Sequence, residues 1–362
     1  MAATGEGAPP LRVGIVGFGL AGTVFHAPLI TSTPGLAVAA IVTADQARQA
    51  RARRDFPAAR VYSSSDAMLA DAAQLDLVVV ATPNRFHVPI GVAALEAGLP
   101  VVIDKPVAPS GAEAERLGAA AERAGKLLSV FQNRRWDGDF ITLRRLIEGD
   151  ALGKVVRLES RFERFHPVPN ADAWRERAAP EEGGGLLFDL GAHLVDQAMV
   201  LFGRPVSVYA EAETRRPGAT IDDDTFVALR FAGGQTAHLW MSVLPRKPAP
   251  RYRAVGLRGV YEKDGVDPQE DALRLGGRPG DEGWGEEPPE SWGRLVTEIA
   301  GMPVDGRVET APGSYETYYA LVRDAIRAGG PPPVSLAEAV AVLRVIESAR
   351  ESAQRSAIIS LS

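Results

Sequence analysis

Between Leu11 and about Ser129 the chain alternates short, unbroken apolar runs with longer amphipathic stretches. The runs are LRVGIVG, LAVAAIVT, DLVVVATP, LPVVIDKP and KLLSVFQ. A strand that is apolar on both faces must be covered on both, and helix-length connections bring each strand back parallel to the last. This pattern leaves few folds open. It predicts an α/β doubly wound parallel sheet, a Rossmann-type domain with ligands bound outside the carboxyl ends of its strands.

After Trp136 the texture changes. In KVVRLESRF, Val156, Leu158, Ser160 and Phe162 alternate with Arg157, Glu159 and Arg161, the period of a sheet with one wet face. PVSVYAEAET, TFVALRFAGGQTAHLWMSV with Gly233-Gly234 as its turn, and RYRAVGLRGVYEKDG continue the theme. The prediction is an α+β domain with a mainly antiparallel open sheet. Helices are expected near 137–149, 187–202, 315–328 and 335–354, and the Gly-, Pro- and acid-rich stretch from Asp267 to Pro289 as a long surface loop. The expected organisation is a disordered segment 1–10, a dinucleotide-binding domain 11–130, and a substrate-binding and oligomerisation domain 131–362.

Composition narrows the partners. A formal charge of -6 over 362 residues gives no basic footprint for nucleic acid. The chain has no cysteine, so disulfides and thiolate chemistry are excluded. MAATGEGAPP lacks the basic and apolar regions of a secretion signal, and no 18-residue apolar run follows. These features predict a cytoplasmic protein, with no membrane partner, that handles small molecules.

The turn after the first strand reads G-x-G-x-x-G: Gly17, Phe18, Gly19, Leu20, Ala21 and Gly22. Between a strand and a helix, the first glycine permits the tight turn, the second admits a pyrophosphate and the third lets helix and strand pack closely. The helix N-terminus supplies N–H groups for the phosphates. An NAD-binding chain usually carries a carboxylate about 20 residues further on for the ribose 2′-OH. Here the second strand ends at Thr43, which does not repel a 2′-phosphate, so NADP is favoured. Asp45 keeps NAD possible, and Arg48 and Arg51 are either phosphate partners or solvated helix charges.

Two more strand ends point into the same crevice: Thr82, Pro83, Asn84 and His87 in ATPNRFH, and Asp104 and Lys105 in VVIDKP. In this topology both lie at the nicotinamide end. Lysine is almost never buried without a partner, so Lys105 is either an ion pair with Asp104, a surface lysine, or a cation placed for chemistry. In the second region, GGGLLFDLGAHLVD offers Asp189, His193 and Asp196. Asp189 and His193 are four apart, adjacent on one helical face, and a carboxylate beside an imidazole suits proton transfer. Nothing nearby supplies the further ligands of a metal site, and Asp222, Asp223 and Asp224 read as a solvated turn.

These elements, in this order, resemble the Gfo/Idh/MocA family of oxidoreductases from Leu11 to the C-terminus. FHAPLI, VVIDKP, SVFQNRRWDGDF and DAWRE look like the subgroup containing NADP-dependent scyllo-inositol dehydrogenases. The family usually has Glu where this chain has Asp104. The resemblance implies that Lys105, Asp189 and His193 are catalytic and that Lys105-Pro106 is cis. It also implies that Arg135, Trp136, Trp174 and Arg175 lie near cofactor or substrate, and that the open sheet pairs subunits into a homodimer or homotetramer.

The implied activity is hydride transfer between the hydroxyl of a cyclic polyol or sugar and NADP. His193 would take the hydroxyl proton, Lys105 would stabilise the developing alkoxide, and Asp189 would orient His193 or bond another hydroxyl. Two further readings belong to the same fold family: a non-catalytic dinucleotide-binding regulator, and a glycosidase that uses transient oxidation by bound NAD.

Overall fold

The apolar runs of the first third become six strands: β1 (Leu11–Val16), β2 (Leu36–Val42), β3 (Arg60–Tyr62), β4 (Leu77–Val80), β5 (Val101–Asp104) and β6 (Leu128–Phe131). The computed structural model describes residues 8–170, 176 and 183–361. All six strands pair in parallel, in the order β3-β2-β1-β4-β5-β6. Every residue of β4, β5 and β6 is buried, which is why those runs carry no polar alternation. Strand order reverses between β1 and β4, so the connections leaving them diverge and open a crevice.

The second sheet has nine strands: β7 (Val155–Glu163), β8 (Pro205–Glu213), β9 (Asp224–Phe231), β10 (Thr236–Ser242), β11 (Tyr252–Gly256), β12 (Val260–Lys263), β13 (Gly293–Ile299), β14 (Met302–Val308) and β15 (Ile359–Ser360). Neighbours are antiparallel except β7 and β10, which run parallel. β9 and β10 form the hairpin expected at Gly233-Gly234, where Gly234 has φ +88°. Leu158, Ser160 and Phe162 face inward with Leu239 and Met241, beneath the buried helix Gly191–Phe202. Arg157, Glu159, Arg161, Phe226, His238 and Trp240 stand half-buried on the open face.

Two local expectations are corrected. The stretch Asp267–Pro289 is not all surface loop: it contains the helix Gln269–Arg274, with Gln269, Glu270 and Leu273 buried. Its polar residues are satisfied by distant groups, since Gln269 Oε1 accepts from Tyr315 N at 2.7 Å and Glu270 accepts from Arg134. Nor is the aspartate run a solvated turn. Asp223 is fully buried, accepting from Arg215 N, Arg216 N and Arg216 Nε. Asp222 accepts from Leu187 N at 2.8 Å and Thr225 Oγ1 at 3.0 Å.

The last two long helices, Glu316–Ala328 and Leu336–Arg355, turn back onto the first sheet. Tyr318 Oη donates to Ser129 Oγ at 2.9 Å, and Gly111 N donates to Glu347 Oε1 at 2.9 Å. The same C-terminal helix reaches β8, where Ala210 N donates to Ser352 Oγ. It thereby clamps the two lobes together. Among the described residues no helix is long and apolar enough to cross a membrane.

Candidate active site

The glycine turn has the backbone its spacing requires. Gly17 sits at φ +102°, and a Cβ there would fall 2.4 Å from Ala81 O. A Cβ at Gly22 would fall 2.1 Å from Gly17 O, so both glycines are compelled by the protein itself. Gly19 differs: its nearest neighbour would be Arg48 Nη1 at 3.7 Å. Space left open on the crevice side of a phosphate-binding turn suits a pyrophosphate approaching the backbone. The Phe18 ring turns into the core against Phe56, leaving only its main chain at the turn, while Leu20 and Ala21 line the cavity described below.

Thr43 closes β2, buried, with Oγ1 accepting from Asp45 N at 3.4 Å. Asp45 caps the next helix, its Oδ1 accepting from Arg48 N at 2.8 Å. After β4, Thr82 Oγ1 is buried with no hydrogen-bond partner among the described residues. Such an orphan is costly unless a ligand meets it, so together with Gly19 it fits a bound dinucleotide. Half-buried Pro83 leads into Asn84, whose Nδ2 lies against Gly183 of the second lobe, so close that a Cβ there would fall 2.4 Å away.

His87 is spent on architecture. Its Nδ1 lies 2.9 Å from Pro106 O and its Nε2 2.8 Å from Thr82 O, tying the ends of β4 and β5. Burial draws the pKa of this imidazole down against the nearby Asp104. Lys105-Pro106 is cis. Asp104 accepts from Lys105 N at 2.8 Å, and its Oδ2 lies 3.8 Å from Nε2 of fully buried His26. Burial pushes the Asp104 carboxyl up, but His26, His87 and Lys105 outweigh it and hold it below its ordinary range.

Lys105 Nζ crosses to the second lobe, donating to Asp189 O at 2.7 Å and Asp189 Oδ1 at 2.9 Å. Asp189 ends the short helix Leu186–Asp189, and His193 lies in the first turn of the following one. Asp222 sets this segment by binding Leu187 N and by lying where a Cβ on Gly185 would stand, 1.8 Å from Oδ1. Lys105, Asp189 and His193 line one cavity of about 150 Å³, with Asp104, Asn133, Arg134, Arg164, Glu270 and Arg274. An ammonium, a carboxylate and an imidazole from separate lobes therefore share one small space.

The comparisons with known proteins accord with this geometry. Residues 11–132 match the model described as the oxidoreductase family, NAD-binding Rossmann fold, and residues 144–361 match its C-terminal alpha/beta domain. The chain belongs to the Gfo/Idh/MocA family. It is 40% identical over 352 residues to the uncharacterized oxidoreductase YdgJ of Escherichia coli (strain K12), covering 97% of this chain and 99% of the relative. It is 38% identical over 354 residues to scyllo-inositol 2-dehydrogenase (NADP(+)) IolW of Bacillus subtilis (strain 168), covering 97% and 96%. The solved structure of yvaA from Bacillus subtilis superposes with a TM-score of 0.92 at 36% identity, covering 98% and 99% of the two chains. The protein is an NAD(P)-dependent oxidoreductase.

Within this Gfo/Idh/MocA chain, Arg135 and Trp136 are not among the residues that line this cavity. The Arg135 guanidinium is held away from the cavity by a bidentate pair with Asp196, at 2.7 and 2.8 Å, and by Glu338 at 2.8 Å. Its sequence neighbour Arg134 lines the cavity instead, and Trp136 packs edge-on against Tyr318. Trp174, Arg175 and residues 1–7 lie outside the described residues. Arg164, Glu270 and Arg274 were not singled out from the sequence. Glu270 and Arg274 were hidden in a stretch that reads as solvent-facing, and no local spacing links them to Arg134. His26 was visible only as part of FHAPLI.

Proposed function

We propose that the protein is an NADP-preferring dehydrogenase that moves hydride between a carbinol of a cyclic polyol or sugar, inositol-like in character, and the nicotinamide. The observation that carries this reading is the meeting of Lys105, Asp189 and His193 in one cavity at the carboxyl ends of β1, β5 and β6. The name of IolW, a scyllo-inositol dehydrogenase using NADP(+), supports the substrate and cofactor classes.

A bound nicotinamide supplies the hydride acceptor. The chain's own groups handle the hydroxyl proton and the negative charge that its loss leaves on oxygen until hydride departs. His193 accepts the hydroxyl proton, because imidazoles exchange protons near working pH. The Lys105 ammonium stabilises the negative charge that builds on oxygen before the carbonyl forms. Asp189 holds that ammonium through Oδ1 and its main-chain oxygen, which makes it first a positioner of Lys105. In the reductive direction His193 returns the proton.

Cofactor choice rests on Thr43, a hydroxyl where an NAD-binding chain usually carries a carboxylate, with Asp45 turned to cap the next helix, and on Arg48, whose Nη1 overhangs Gly19. The half-buried Phe226, His238 and Trp240 on the open sheet face support pairing of subunits into a homodimer or homotetramer. The deciding experiment is a screen of inositols and hexoses with NADP and NAD, following absorbance of the reduced nicotinamide. Turnover of at least one polyol, faster with NADP, is expected. No reduction with any polyol would overturn the reading.

A further inference from the structure

The wall of the cavity beyond Lys105 and His193 is built around one carboxylate and three guanidinium groups. Glu270 accepts from Arg274 Nη2 at 2.7 Å and Nε at 3.1 Å, accepts from Arg134, and faces Arg164 Nη2 at 3.6 Å. Arg134 and Arg164 also stand over the ring of Phe162, at 4.6 and 4.8 Å from its centroid. That ring fixes where the two cations stand without neutralising them. Burial pushes the Glu270 carboxyl up, but Arg134, Arg164 and Arg274 outweigh it and bring it down to about 2.

Several other carboxylates nearby are committed. Asp189 serves Lys105, and Asp223 and Glu176 serve Arg216. Asp137 lies 3.4 Å from Arg134 and accepts from Tyr315 Oη at 2.7 Å, and burial raises its carboxyl well above the ordinary range. Arg164 and Arg274 are the members of the cluster that reach solvent, their side chains 41% and 40% exposed. Both line the cavity that holds Lys105 and His193, and both continue into the adjoining cleft beside Ile221 and Val243. A guanidinium offers donors and no acceptor. A neutral polyol needs both, whereas a carboxylate or phosphate matches the fork with two charge-assisted bonds.

We propose that the substrate carries, besides its reacting carbinol, an anionic substituent, a carboxylate or a phosphate, which Arg164 and Arg274 bind. This deepens the polyol-dehydrogenase reading and rests on it for the reaction. Glu270 holds the two guanidinium groups in place, so it is a positioning residue.

The test uses the full chain saturated with NADPH and two matched probe pairs. These are D-glucose against D-glucuronate, and myo-inositol against myo-inositol 1-phosphate, with binding read by calorimetry. At least one charged member is expected to bind ten or more times tighter than its neutral counterpart, and which pair shows this distinguishes carboxylate from phosphate. Arg164→Gln and Arg274→Gln are each expected to cut that ratio at least fivefold. Equal binding within both pairs, including none in either, overturns the proposal, as does a pair of variants that weaken NADPH while leaving the ratio intact. Turnover of the same probes with NADP separates the two readings. A charged probe that binds without reducing nicotinamide counts against the redox assignment alone, and a neutral polyol oxidised with no preference for charge counts against the anion site alone.

Discussion

Lys105 Nζ sits 2.7 Å from the main-chain oxygen of Asp189 and 2.9 Å from its Oδ1, a single ammonium joining the end of β5 to the second lobe. The pair is largely shielded, with side chains 12% and 28% exposed. A lysine held this way has its ammonium in a fixed position, which stabilisation of a developing alkoxide requires.

Lys105→Met should therefore lower turnover by at least ~10²-fold, the scale of removing one donor from a charge-stabilising site. Affinity for the cofactor should change little, because the proposed phosphate contacts are made by the glycine turn after β1. Steady-state kinetics with a separate titration of NADPH fluorescence checks both halves. Wild-type turnover in the variant would remove Lys105 from the mechanism.

The glycines of the phosphate turn should separate folding from binding. Gly22→Ala forces a Cβ to within 2.1 Å of Gly17 O, so thermal stability should fall sharply. Gly19→Ala meets nothing in the protein closer than 3.7 Å, so its melting temperature should stay near wild type while dinucleotide affinity drops tenfold or more. Equal loss of stability in the two variants would show that the space beside Gly19 is not reserved for a ligand.

Thr43→Asp introduces a carboxylate at the end of β2, where it would repel a 2′-phosphate and bond a 2′-hydroxyl. The ratio of NADP to NAD affinity should fall at least tenfold, about 1.4 kcal/mol. An unaltered ratio in fluorescence titrations would place discrimination at another residue.

Arg135→Ala should act on stability. Its guanidinium forms a bidentate pair with Asp196, which is 2% exposed and whose pKa burial raises despite that partner. Removing one member of a buried pair strands the other, at a cost of about 3–5 kcal/mol. Urea denaturation measures this directly. A loss below about 1 kcal/mol would mean that the pair is not what Arg135 is for.

Asp267 should make the fold weaken as pH rises. Burial, reinforced by Asp139, lifts its carboxyl from the ordinary 3.8 to about 7, although Gly138 N and Gln269 donate to it. Between those values the folded chain keeps a proton that the unfolded chain has released, so stability declines from about pH 4 to about pH 7, at up to about 1.4 kcal/mol per unit. Asp267→Asn should flatten that slope in urea midpoints taken across the range. The same slope in the variant would assign it to another group.

Much of the first lobe was readable because each of its signals is local. A strand buried on both faces must be written as an apolar run, Gly17 is favoured by its own φ of +102°, and Gly22 is demanded by Gly17 O, which the turn itself brings close. The alternation in β7 and the Gly233-Gly234 hairpin were legible for the same reason. Composition misled where buried polar residues are satisfied by partners that only the completed fold brings to them, near in the chain or far. Asp223 is buried against Arg216, and Glu270 lies 136 positions from Arg134.

By itself, then, the order of residues determined the parallel sheet, the phosphate turn and the candidate triad of Lys105, Asp189 and His193. Tertiary structure alone decided that Lys105 meets Asp189 from 84 positions away, and that Arg134 faces the cavity while Arg135 turns to Asp196. The reason is physical. Backbone periodicity and turn geometry are properties of neighbouring residues, whereas the partner of a buried charge is chosen by whatever opposite charge the completed fold brings within a few ångströms.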